Sequence, residues 1–327
     1  MTRIVVVGEL NMDLHLFDVE RSAGQALLVA ERYLAEPGGK GANVARAAAR
    51  LGAEVSLVGR VGDDEFGRSC VAAVSDDGVD TGAVTVTSDG PTGFVAIELT
   101  RGKHRSLLFA PGANGYLSWT DIAPSLDALE SGDIVIAQAE IPPAALSELA
   151  TFTARTGTAL FLDPAPPDRV TRQLIAAAEV ITPNRAEAAA LVGRMDDSPL
   201  TPALAARDLL EFGARRVLVK TGESGTLLAG AHREILEVPT LSVEPLDETG
   251  AGDVFLAALA VRRSEGAEWE QAVRFANAAS ALSVAATGLM LPERSDVDQA
   301  VRGLEEPTTR ISLSSDNRGV IPPRTLP

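Results

Sequence analysis

Six short runs of branched and apolar residues punctuate the chain, bounded by Gly, Asp or Pro: IVVVG (4–8), EVSLVG (54–59), DIVIAQ (133–138), ALFLDP (159–164), EVITPN (179–184) and RVLVKTG (216–222). None alternates cleanly between apolar and polar, so each must be covered on both faces, as parallel strands are. Ala- and Leu-rich helical segments lie between them, among them 43–52, 143–157, 185–193 and 202–213. Strand and helix in alternation, joined by right-handed crossovers, make a doubly wound α/β fold with a mostly parallel sheet flanked by helices.

Two segments break this rhythm. Residues 14–36 are irregular and amphipathic, and TGFVAIELTRGKHRSLLFA (92–110) reads as a hairpin around Arg101 and Gly102. Together, as about 14–36 and 91–110, they are expected to form a small β-sheet lid on a domain spanning 1–305. From residue 306 the chain is rich in Pro, Ser, Thr and Arg without a core-forming pattern, so 306–327 is expected to be an extended or disordered tail.

Charge narrows the partners. With 45 acidic and 29 basic residues the formal charge is −16, which disfavours nucleic acid and anionic membranes. A single cysteine, Cys70, and three histidines exclude an internal disulfide and any Cys-based zinc site. No apolar run reaches spanning length and no signal segment is evident, so a soluble cytoplasmic protein is expected.

In DETGAGDVFLAALA (247–260), strong polarity runs straight into a helix that reads as buried. Gly250, Ala251 and Gly252 let backbone N–H groups face a common space at a positive helix terminus, an anion cradle. Asp253 in the first turn is either an ordinary N-terminal cap or a carboxylate placed to take a hydroxyl proton during phosphoryl transfer. In EPGGKGANVARAAARLG (36–52), Gly39, Lys40, Gly41 and Asn43 open an Ala-rich helix near Asn43. No Ser or Thr follows the Lys, so this is not a P-loop; it is a plain glycine turn or a set of donors for a polyol.

Polar residues at strand ends add to this. Asn11 and Asp13 fall on one side if the first strand continues through GELNMDL (8–14), at the sheet edge where open α/β folds bind ligands. Glu140 follows an apolar strand, and Asn184 and Glu187 follow another; either capping or ligand contact accounts for them. Lys220, Thr221, Gly222, Ser224 and Gly225 form a turn able to lie along a nucleotide.

These stretches, with GRVGDDEFG (59–67), APGAN (110–114), DPAP (163–166) and FANAASALSVAATG (275–288), resemble the ribokinase-like (pfkB) carbohydrate kinases from about residue 3 to 300, most closely the ribokinase branch. The resemblance implies an ATP-dependent kinase that phosphorylates a primary hydroxyl of a pentose, most closely D-ribose, and a dimer formed through the lid. A nucleoside kinase, a deoxyribose or ketohexose kinase, and a non-catalytic sugar-binding relative are the alternatives.

By the resemblance Asp253 is the general base, with Gly250, Ala251 and Gly252 as the anion hole. Asn11, Asp13, Gly39, Lys40, Gly41, Asn43 and Glu140 contact sugar. Asn184, Lys220, Thr221, Gly222, Ser224, Gly225, Gly252 and Asn277 contact nucleotide. Glu187 organises Mg²⁺ through water, while Asp247, Thr249, Ser283, Ala286 and Gly288 hold K⁺. Glu9 departs from the pattern, standing where the family has a small residue.

Overall fold

The computed structural model describes residues 2–21, 28–100, 103–193, 202–230, 234–286, 288–304 and 307–311. In chain order the first part holds β1 (Arg3–Val7), β2 (Asn11–Phe17), β3 (Glu20–Arg21), β4 (Leu28–Val29), β5 (Arg32–Gly38), α1 (Lys40–Arg50), β6 (Glu54–Gly62), α2 (Glu65–Asp76), β7 (Val84–Thr87), β8 (Gly93–Thr100) and β9 (Lys103–Ala110). Then come α3 (Trp119–Asp127), β10 (Ile134–Gln138), α4 (Pro143–Thr156), β11 (Ala159–Asp163), α5 (Arg172–Ala177), β12 (Val180–Ile181), α6 (Arg185–Leu191), α7 (Pro202–Glu211) and β13 (Val217–Lys220). β14 (Thr226–Ala229), β15 (Ile235–Val238), α8 (Ala251–Ser264), α9 (Trp269–Ser283), α10 (Arg294–Arg302) and β16 (Thr309–Ile311) complete it.

A ten-stranded sheet runs β16-β15-β14-β13-β12-β11-β10-β1-β6-β7. The strands from β7 across to β13 are parallel, and β14, β15 and β16 continue the sheet antiparallel. Successive residues of β1 show why the strands lack alternation. Ile4 and Val6 enter the core shared with α1, α8 and α9, while Val5 and Val7 enter the opposite core with α4, α5 and α7.

Helix α8 is buried from Asp253 to Val261 because it lies between α1, α9 and the sheet. Ala48 of α1, Ala257 and Ala260 of α8, and Ala276 of α9 belong to one core. Small side chains there let the helices approach closely, which is how a chain with 4% aromatic residues fills its interior.

A separate four-stranded sheet, β5-β2-β8-β9, is the lid. Here the structure corrects the reading of GELNMDL: β1 stops at Val7, and Asn11 and Asp13 belong to β2, the inner lid strand, rather than to an extended β1. A second correction concerns the tail, since Thr309–Ile311 pair with β15 as an edge strand of the main sheet. Residues 312–327 and the turn at Arg101 and Gly102 lie outside the described residues. Among the described residues no helix is long and apolar enough to cross a membrane.

Candidate active site

Lid and main sheet meet where β5 hands over to α1. Gly39 has φ 92°, and a Cβ there would lie 2.7 Å from the Glu9 carbonyl and 2.8 Å from the Asn11 nitrogen. Glycine thus serves close packing of the α1 N-terminus against the Gly8–Asn11 segment, and not flexibility. This packing starts α1 at Lys40, three residues before the sequence suggests. Lys40 and Asn43 then stand at i and i+3 on one face.

From that face Lys40 Nζ reaches Glu140 Oε1 at 2.8 Å, and Asn43 Nδ2 donates to Asp253 Oδ2 at 3.0 Å. Burial alone would lower the Lys40 ammonium, but Glu140, Asp163 and Asp253 hold it above its usual range. Asn11 and Asp13 share a face of β2. Asn11 is held from both ends, its Nδ2 donating to Glu9 Oε2 at 3.2 Å and its Oδ1 accepting from Asn114 Nδ2 at 2.8 Å. Burial pushes Asp13 up to about 7, aided by the Glu36 charge and opposed by His15 and the Gly39 N–H.

Asp13 Oδ1, Asn43 Oδ1 and both amide ends of Gln138 are buried without a protein partner. Orphaned acceptors of this kind call for a ligand that brings several hydroxyl donors.

Gly250, with φ 73°, caps α8 in the left-handed region, and its carbonyl accepts from Val254 N–H at 2.9 Å. First-turn N–H groups lack partners inside their own helix; Ala251 N–H turns instead to the Glu248 carbonyl at 3.2 Å, which leaves Gly252 and Asp253 as the donors of an anion cradle. Lys220, at the end of β13, lies beside it: its Nζ is 3.2 Å from where a Cβ on Gly252 would begin. Asp253 is buried, and burial raises its carboxyl to about 7; Asp163 and Glu140 add to the rise, while Asn43 and Lys40 oppose it. The carboxylate must be ionised to accept a proton. We therefore expect kcat/KM to fall about tenfold per unit as pH drops below 7, read from steady-state rates across pH 5.5–8.5.

A cleft of about 560 Å³ has Lys40, Asp163, Asn184, Glu187, Lys220, Gly225, Gly252, Asp253 and Asn277 on its walls; Asn43 and Glu140 stand behind it, bonded to Asp253 and Lys40, and Asn11 and Asp13 are not on its walls. Asn184 and Glu187 form a reciprocal cap at the start of α6, Asn184 Nδ2 donating to Glu187 Oε1 at 2.7 Å and Glu187 N–H to Asn184 Oδ1 at 2.9 Å. Hard carboxylate oxygens at this spot suit a hydrated Mg²⁺. Thr221 N–H and hydroxyl both bond the Gly225 carbonyl, at 2.9 and 2.8 Å, closing the turn that contains Gly222 and Ser224.

Asn277 lines the cleft with its amide engaged by protein, accepting from Thr226 Oγ1 at 2.6 Å and donating to the Val238 and Pro239 carbonyls at 3.0 Å each. It braces the wall. Beside α8, Asp247 accepts from Thr249 N–H at 2.9 Å and from Gly288 N–H at 3.0 Å, so two loops close around its carboxylate. Both bonds come from N–H donors, so a monovalent cation there would draw on the remaining lone pairs of the carboxylate and on backbone carbonyls. Ser283 instead donates to its own helix, at the Ser280 carbonyl, 2.8 Å away. Ala286 lies in the stretch between Ser283 and Gly288.

Three contributors were not assigned a role from sequence. Asn114 ties Leu10 and Asn11 to the lid root, Gln138 faces Gly8, and buried Asp163 sits beside Lys40 and Asp253. Each lies in a stretch the sequence offers, Asn114 in APGAN, Gln138 at the end of DIVIAQ and Asp163 in DPAP, but none of these fixes which residue the side chain meets.

An anion cradle, an adjacent buried carboxylate and orphaned acceptors on β2 and α1 are what a phosphotransferase with an alcohol acceptor needs. Residues 1–296 match the family model described as pfkB family carbohydrate kinase. The ribokinase of Bacillus subtilis is 34% identical over 91% of this chain and 99% of its own length, and that of Mus musculus 31% over 87% and 90%. Among solved structures, Thermotoga maritima ribokinase superposes with TM-score 0.81 at 32% identity, covering 92% of this chain and all of its own. Arabidopsis thaliana ribokinase, solved with ribose and ATP, gives 0.82 at 29% identity over 92% and 99%. The chain belongs to the pfkB family of carbohydrate kinases.

Proposed function

We infer that this enzyme transfers the γ-phosphoryl group of ATP to the 5-hydroxyl of D-ribose. The observation that carries the sugar half is the pair of orphaned buried acceptors, Asp13 Oδ1 and Asn43 Oδ1, next to Lys40 and Asp253. The curated ribokinases at 30–34% identity and the ribose and ATP complex of the Arabidopsis enzyme support ribose in particular.

In this reading ribose hydroxyls donate to Asp13 and Asn43, while Lys40 and Asn11 fix their orientation. The triphosphate lies over the 221–225 turn with its transferring end on the Gly250–Asp253 amides. Asp253 takes the proton of the 5-hydroxyl as the bond to phosphorus forms. Because this transition state is loose, the proton leaves late and a carboxylate is basic enough. Lys220 offsets charge on the phosphates. Glu187 and Asn184 would hold Mg²⁺ through water, supplying charge neutralisation between the phosphates. The Asp247 loops would hold K⁺, which stabilises the start of α8.

ADP release with ribose, 2-deoxyribose, fructose, adenosine and cytidine, in K⁺ and then in Na⁺, tests this. Ribose is expected to give the highest kcat/KM, with lower rates in Na⁺ and none after chelation of Mg²⁺. A preference for adenosine or cytidine would replace the reading with a nucleoside kinase. Lys220→Met is expected to lower kcat/KM for ATP about tenfold, with the ribose KM within twofold.

The lid also supports a homodimer. Leu34 and Leu107 are exposed on one face of the lid sheet and Tyr33 and Leu108 on the other, apolar surface on both edge strands that a second, interleaved lid would cover. Sedimentation should give twice 34.0 kDa, and Leu107→Asp with Leu108→Asp should give monomer. The reading places the enzyme in the cytoplasm, where ATP is at hand and buried Cys70 remains a thiol.

A further inference from the structure

Glu9 has no part in the chemistry above, yet it sits at the crossing from main sheet to lid with 3% of its surface exposed. Its backbone is fixed against α1, the carbonyl accepting from Ala42 N–H at 3.0 Å. Its Oε2 accepts from Asn11 Nδ2 at 3.2 Å, and its carboxyl is hydrogen-bonded to Glu140, which holds Lys40 at 2.8 Å on its other side. Ionised carboxylates carry no donor, so two carboxyls in hydrogen-bond contact keep a proton between them.

We propose that Glu9 is a positioning residue for the sugar: it shares a proton with Glu140 while bonding Asn11, and so locks Asn11, Glu140 and Lys40 into one set of donors and acceptors. This rests on the sugar-kinase reading.

The charges around the pair explain why the proton stays. Lys40 approaches from α1, Asp13 from β2, Asp163 from β11 and Asp253 from α8, so that one ammonium faces several carboxyl groups. Burial, and then the Glu140 charge, push Glu9 up to about 8, against the Asn11 hydrogen bond and Lys40. Above that pH a second charge appears beside Glu140, Lys40 is divided between two carboxylates, and the set comes apart. Sugar affinity is then lost in proportion to the fraction of enzyme still protonated.

Gln is the isostere of protonated Glu, able to donate to Glu140 and accept from Asn11. Sugar KM and kcat measured from pH 6.5 to 9.5 for wild type and Glu9→Gln test the proposal, using whichever of ribose, 2-deoxyribose and fructose is turned over fastest. The wild-type KM is expected to rise about tenfold between pH 7 and pH 9, and that of Glu9→Gln to stay within twofold. The fall of kcat/KM below pH 7 imposed by Asp253 should remain in both. Calorimetric titration of the same sugar at pH 8.5 in two buffers of different ionisation enthalpy gives a second readout. Wild type should take up protons on binding that Glu9→Gln does not. An unchanged KM rise in Glu9→Gln, a flat wild-type KM or equal proton uptake would overturn the role given to Glu9. Turnover of fructose in place of ribose would count against the substrate reading and leave this comparison intact.

Discussion

Replacing Asp253 by Asn is expected to lower kcat by about 100-fold or more while the sugar still binds. The amide keeps the shape of the carboxyl and can still accept from Asn43 Nδ2, so the acceptor pocket stays assembled. What it loses is a place for the hydroxyl proton. Steady-state kinetics together with calorimetric sugar binding separate these, and a loss confined to KM would point to a binding role only. The same variant should be more stable at pH 8. Folding raises this carboxyl from 3.8 to about 7, so the folded chain binds the proton more tightly than the unfolded chain. The contribution of Asp253 to stability is therefore fullest below about pH 4 and is lost as pH rises toward 7. An amide escapes that decline, a gain bounded at roughly 4 kcal/mol and visible as a higher Tm at pH 8 but not at pH 4.

Lys40→Met is expected to cut kcat/KM for the sugar about 100-fold. Lys40 is the ammonium paired with Glu140 and facing Asp163 and Asp253. Without it those carboxyls repel one another and turn from the acceptor. Removing one partner of a largely desolvated pair costs about 3 kcal/mol, hence the two decades. Pairing the change with Glu140→Gln should restore much of the lost stability, since the stranded charge is gone, but not the activity. A double-mutant cycle on both quantities measures this; independent, additive losses in stability would mean that the pair is not coupled.

Much of the fold could be read from patterns that a local environment imposes. The six apolar runs each became a strand because β1 and its neighbours are covered on both sides, and apolarity without alternation is the signature of that burial. The cradle at Gly250–Asp253 was legible for a similar reason, since polarity, glycines and a buried helix adjoin in the chain.

Contacts made across the chain were not. Asn114 holds Asn11 from 103 residues away, and although it closes APGAN, nothing in that stretch says which residue it will bond. The glycines before α1 read as a turn, whereas their lack of a Cβ is needed by backbone that arrives from Glu9 and Asn11. Asn11 and Asp13 were placed on the right side but on the wrong sheet, because nothing local marks where β1 ends and the lid begins. Thr309–Ile311 carry no strand pattern and pair only because β15 offers an open edge.

In the proposed reaction the Gly250–Asp253 turn delivers phosphate to a sugar's primary hydroxyl and Asp253 collects the proton. Incubating the enzyme with ATP, Mg²⁺, K⁺ and ribose carrying ¹³C at carbon 5, and following the product by ¹³C NMR, tests it most directly. Wild type is expected to yield a carbon-5 resonance split by phosphorus, and Asp253→Asn at the same concentration essentially none. Comparable product from the Asn variant, or phosphorus coupling at another carbon, would contradict the account.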